Sequence, residues 1–305
     1  MPRRRWTSPG HFASFLDAGG LVEVDDEMPD PYRRAAFRLV VRHANGELLA
    51  ALADRDWVAK APGLRLKMVA LARAQDELGH ARSLYRVAAD LGGGTDGRLL
   101  DDLVAGRGRP AEGILRRSGD WAERVVVDHL ADSAALAVQR SIATRCSYGP
   151  YRRALLAMLP EEEAHVAVGL TRLQRAALGT PRQRLAIQAA VDRRWQPLLA
   201  SFGPDDAAED DELQRWRLIA EPNAAVRDRW VAQTVPLLDE LGLSTPERDV
   251  AVGAEADAEV ARLIDEAAGR RQRTAWVRRA MARPADPWVD QVAPVSAGAG
   301  AGGRR

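Results

Sequence analysis

Two short segments, "QDELGH" (75–80) and "EEEAHV" (161–166), each set a glutamate three residues ahead of a histidine: Glu77 with His80, and Glu162 with His165. Both lie inside long stretches whose apolar residues recur at three- and four-residue steps, the period of an α-helix. Residues three apart on a helix project from nearly the same face, so each pair is a compact set of donors. Each pair also has a carboxylate 30 residues upstream, on the preceding periodic stretch: Glu47 before Glu77, and Asp132 before Glu162. Four successive helices thus carry carboxylate, Glu-x-x-His, carboxylate, Glu-x-x-His. That order restricts the fold more than any other feature of the chain.

A bundle that holds two metal ions takes one carboxylate from each of two helices and Glu-x-x-His from each of the other two. Four ionised carboxylates gathered in a core repel one another and take up protons, whereas two divalent ions roughly neutralise them. Oxygen and imidazole donors without thiolate suit iron or manganese better than a structural zinc. The competing reading of any single Glu-x-x-His is a surface ion pair or a satisfied core histidine; the duplication at equal spacing favours the metal. Asp128 rivals Asp132 for the fourth carboxylate. His43, four residues before Glu47 on the same face, is either an orienting partner of a ligand or an ordinary buried histidine. Cys146 reads as a small buried hydrophobe, and His11 carries no pattern.

The periodic stretches are "YRRAAFRLVVRHANGELLAAL" (32–52), 64–91, 121–145 and 151–178. Pro62-Gly63 opens the second, the glycines at 92–94 close it, and "GTP" (179–181) ends the fourth. Further helices are expected near 182–201, 210–220, 223–240 and 247–282, with a loop at 202–210. Pro160, two residues before Glu162, is expected to kink or restart its helix. The expectation is all-α: an antiparallel four-helix bundle with a helical C-terminal extension. A poorly ordered segment (1–25) precedes a single helical domain (26–283), and a disordered Pro/Gly/Ala tail (284–305) follows it.

Lys+Arg total 44 against 43 Asp+Glu in 305 residues, a balance that argues against nucleic acid as the main partner. The single cysteine excludes an internal disulfide and a Cys-based zinc or iron–sulfur site. No apolar run of about 20 residues is present to span a bilayer, and none follows the basic N-terminus. The expectation is a cytoplasmic protein with no membrane partner.

With those residues in view, the chain resembles the catalytic A subunit of the phenylacetyl-CoA epoxidase family, ferritin-like di-iron monooxygenases. The blocks that carry the resemblance are Trp57, Ala61, Pro62, Leu64, Arg65 and Lys67, then "AQDELGH" (74–80), "RCSYGPY" (145–151), "RW-x-P" with "FGP" (194–204) and "TVP" (234–236). The resemblance implies a ferritin-like bundle in which Glu47, Glu77, His80, Asp132, Glu162 and His165 hold two iron ions. It implies O2-dependent 1,2-epoxidation of the ring of phenylacetyl-CoA or a related aromatic acyl-CoA, in phenylacetate catabolism. Electrons would come from NAD(P)H through a separate flavin/iron–sulfur reductase. The partners implied are small coupling subunits and a related helical subunit, in a hetero-oligomer. Lys60, Arg65 and Lys67 are candidates for contacts to CoA phosphates. The chain departs from the family pattern at "HANG" (43–46) and "ALADRDW" (51–57). Those departures keep open a paralogue acting on a different acyl thioester; a non-catalytic scaffold subunit is a second alternative, which the retained ligand set counts against.

Overall fold

The structure, a computed structural model, describes residues 3–104, 118–203 and 207–246. The expected helix at 247–282 and the tail at 284–305 lie outside the described residues. Nine α-helices make up the described fold, with no β-strand among these residues and one isolated bridge between Val22 and Tyr148. The four long helices are α2 (Asp30–Lys60), α3 (Leu64–Ala88), α5 (Trp121–Arg145) and α6 (Gly149–Ala177). Helix α2 folds back along α3 through Ala61-Pro62-Gly63, where Gly63 takes φ 84°, a backbone angle that costs glycine little. Helix α5 folds back along α6 through Cys146–Tyr148, and α3 faces α6 across the bundle. The short connections make each pair antiparallel, as the sequence implied.

The outer helices finish the two ends. Helices α1 (Pro9–Asp17), α4 (Asp96–Val104) and α8 (Ala207–Arg215) belong with the α2–α3 pair, and α7 (Pro181–Ala200) and α9 (Asn223–Glu240) pack on α5. The apolar interior falls into two clusters accordingly. One joins Phe12, Leu16, Tyr32, Leu84 and Tyr151; the other joins Leu130, Leu173, Trp195, Trp230 and Leu238. Caps mark the helix starts: Ser8 accepts from the His11 N–H, Asp120 from the Glu123 N–H, and Thr180 with Gln183 forms a capping box.

Two local expectations change, and one narrows. The N-terminal segment expected to be poorly ordered forms α1 instead. Phe12 and Leu16 are buried there, and Phe12 meets the Tyr32 ring edge-on at 5.1 Å. Two large apolar side chains one turn apart suffice to anchor a helix that lacks a longer pattern. Helix α6 runs through Pro160 without restarting. Pro160 and Leu156, one turn back, both face solvent, so water can satisfy the Leu156 carbonyl that the proline cannot. Helix α8 begins and ends earlier than expected, and the chain then turns at Arg217, φ 55°.

Candidate metal centre

Three of the four long helices deliver side chains to one buried point, and the fourth brings a carboxylate to its edge. Glu47 comes from α2, Glu77 and His80 from α3, and Glu162 and His165 from α6, and all five are buried. One donor atom from each of Glu47, Glu77, His80 and Glu162 lies within 4.8 Å of the others. His165 Nδ1 joins them 3.3 Å from Glu77 Oε1 and 3.8 Å from Glu162 Oε2. His80 Nδ1 is 3.1 Å from Glu162 Oε1 and 3.6 Å from Glu47 Oε2. Both Nδ1 atoms are nonetheless buried without an aligned hydrogen-bond partner. A buried imidazole nitrogen aimed at several carboxylates with no bond of its own is poised for a cation, and the donor set fits a divalent transition metal.

The outer faces of the two histidines are fixed by residues that the spacing argument passed over. His80 Nε2 pairs with Glu161 at 2.6 Å, and His165 Nε2 with Asp76 at 3.1 Å. Each acid immediately precedes the glutamate of its own motif and orients the histidine of the other, so the true repeat is acid-Glu-x-x-His. The doubled acids in "DE" and "EE" were the available signal. A carboxylate on one ring nitrogen holds the other nitrogen, here Nδ1, toward the metal side. Glu47 is steadied likewise: His43 Nε2 lies 2.6 Å from its Oε1, His43 Nδ1 meets the Tyr151 hydroxyl at 2.9 Å, and Gln139 donates to Oε1 at 3.2 Å. Of the two readings of His43, the geometry gives the orienting one.

The fourth carboxylate stands differently. Asp132 is brought to the edge of the cluster but is gripped by Arg73, Nη1 to Oδ2 at 2.6 Å and Nη2 to Oδ1 at 3.2 Å. Its rival Asp128 sits one turn nearer the start of α5, held by Arg124 at 2.5 Å and Arg172 at 2.5 Å, and is not among the converging donors. Asp54 ties Arg73 and Arg124 together, so a row of alternating charges runs beside the cluster. His129 lies apart, its Nδ1 3.3 Å from the Val166 carbonyl. Helices α5 and α6 approach closely there because Gly169 faces the Asp128 backbone; an added Cβ would stand 2.4 Å from the Asp128 carbonyl oxygen.

Electrostatics follow the crowding. Burial and the charge of Glu47 push Glu77 well above the usual carboxylate range. Burial acts the same way on Glu47, but the hydrogen bond from His43 and the nearby His80 imidazole outweigh it and hold that group well below. Burial disfavours charge on His80, yet Glu162 and Glu47 outweigh it and raise the imidazole to about 11. His165 rises to about 10 against the same burial, through Glu162 and Glu77. The metal-free cluster therefore keeps protons on its ligands, which a divalent ion would displace.

Beside the cluster, an open cleft of about 660 Å³ runs between α3 and α6, lined by apolar Leu64, Met68, Val69 and Val168 and reaching Arg73, Asp76 and His165. The three basic candidates separate here. Arg65 lines the cleft; Lys60 lies over the Trp57 ring, and Lys67 donates to the Ala59 carbonyl. Cys146 is buried, which pushes its thiol up to about 12, as expected of a packing residue.

Antiparallel helices converging carboxylates and two outward-anchored histidines on one buried point give a ferritin-like bundle whose buried carboxylate–histidine cluster is compatible with a di-iron centre. The chain belongs to the phenylacetic acid catabolic protein family, which it matches over residues 12–282. It is 33% identical over 237 residues to the A subunit of the 1,2-phenylacetyl-CoA epoxidase of Escherichia coli (strain K12), covering 77% of this chain and 76% of that protein. No helix among the described residues is long and apolar enough to cross a membrane.

Proposed function

We propose that this chain is the catalytic subunit of an O2-dependent di-iron monooxygenase that epoxidises the ring of phenylacetyl-CoA or a related aromatic acyl-CoA. The observation that carries the reading is the pair of buried, unbonded Nδ1 atoms among converging carboxylates. A scaffold subunit has no need of such a costly arrangement. Glu47, Glu77, His80, Glu162 and His165 would hold two iron ions, with Asp132 as the sixth ligand. Iron held by such ligands supplies O2 activation. Asp76 and Glu161 orient the imidazoles, while His43, Tyr151 and Gln139 fix Glu47. The apolar cleft beside the cluster fits an aromatic acyl group. Arg65, in that cleft, is the basic residue best disposed toward CoA phosphates; Lys60 and Lys67 are engaged elsewhere. Electrons would come from NAD(P)H through a separate flavin/iron–sulfur reductase. Small coupling subunits and a related helical subunit would complete a cytoplasmic assembly, by analogy with a relative that is itself one component of an epoxidase.

The test is iron content after anaerobic loading, beside a Glu77→Ala/Glu162→Ala variant, followed by turnover of aryl and alkyl acyl-CoA thioesters with partner subunits and reductase supplied. The expected outcome is about two irons per chain, lost in the variant, with oxygenation of the aryl thioesters. Turnover of alkyl thioesters alone would replace the substrate with that of the paralogue reading. A wild-type chain that takes up no iron would restore the scaffold reading.

A further inference from the structure

The geometry points to Arg73 as a latch on Asp132 that makes the two metal positions of this centre unequal, a reading that rests on the proposed metal site. The two Asp132 oxygens, the donors a second ion would need from α5, are taken by the Arg73 guanidinium. The same side chain is buried, reaches to 3.8 Å from Glu77 Oε1, and is tied at Nε to Asp54, 3.4 Å away. By contrast, donor atoms of Glu47, Glu77, His80 and Glu162 already converge. A first divalent ion finds its ligands gathered. Filling the second position sets a dication against the Arg73 guanidinium on one buried carboxylate, a like-charge contact that release of Asp132 by Arg73 relieves. The cleft that Arg73 helps to line offers it somewhere to go. The latch also bridges the helix pairs, since Arg73 is on α3 and Asp132 on α5. Arg73 is therefore a positioning residue that sets the order and spacing of metal loading.

Anaerobic Co(II) titration of the full metal-free chain, followed by calorimetry and visible absorption, tests this. The wild type is expected to bind two ions in steps separated by at least about tenfold. Arg73→Met should tighten the second step and leave the first in place, whereas general structural damage would move both. Asp132→Asn should retain only the tighter step. Arg73→Lys, which keeps a cation but cannot grip both oxygens, should fall between. Two equal steps in the wild type, or a second step unmoved by either Arg73 variant, overturns the latch. Should Arg73→Met fail to fold by circular dichroism, Arg73→Lys against wild type decides by the same criterion. Failure to bind any Co(II) overturns the metal centre itself and the latch with it.

Discussion

Two polar interiors lie side by side in this bundle and are built on opposite principles. The row Arg73, Asp54, Arg124, Asp128 and Arg172 alternates cation and anion, each carboxylate answered by a guanidinium. The cluster of Glu47, Glu77, Glu162, His80 and His165 crowds three carboxylates against two imidazoles, holds protons on them, and leaves both Nδ1 atoms without an aligned hydrogen-bond partner. With Asp132 counted, the first balances three guanidiniums against three carboxylates within the polypeptide; the second depends on protons or metal ions from outside. Arg73 belongs to both, through Asp54 and Asp132 on one side and Glu77 on the other.

The comparison breaks most sharply at Arg124. Arg124→Met leaves Asp54 and Asp128 buried with less countercharge and should cost about 3–5 kcal/mol in urea unfolding. Asp76→Asn with Glu161→Gln should do the reverse, weakening metal binding about 10–100-fold in a titration while changing the melting temperature little. Glu77→Gln separates the two interiors within one side chain. Because the folded protein holds the Glu77 carboxyl above its ordinary value, that group favours folding below about pH 4.5 and opposes it as pH rises through the folded value. The neutral amide should therefore raise the stability of the metal-free chain at pH 7, and the gain should vanish near pH 4. An unchanged melting temperature at pH 7 would mean that the like charges do not repel.

The effect confined to the narrowest pH window concerns an ion pair away from the cluster. Glu123 is buried, which opposes its charge, but the Gly119 N–H, Arg193 and Arg194 outweigh this and hold it down to about 2. Its contribution is present above the ordinary value of 4.5 and is lost as pH falls toward about 2. Glu123→Gln should flatten the acid limb of the stability profile in that window and leave metal binding untouched.

The long helices and the two Glu-x-x-His pairs were legible because each is a local pattern: a period of 3.6 residues and a spacing of three on one face. Asp76 and Glu161 were legible in principle, as acids abutting each motif, but their partners lie across the bundle and no spacing along the chain reveals them. Asp132 shows the limit most clearly. Its distance from Glu162 matches that of Glu47 from Glu77, yet only Glu47 presents its carboxylate to the cluster without an arginine on it. The residue that makes the difference, Arg73, lies 59 positions away on another helix.

The sequence by itself determined four helices, their antiparallel order and the face on which each donor sits, since these follow from hydrogen bonding and side-chain direction within a few turns. Only the tertiary structure decided which carboxylates meet a metal, which meet an arginine, and which histidine nitrogen is left open. Those outcomes depend on charges brought within about 4 Å across helices, where the low polarity of the interior makes each pairing count.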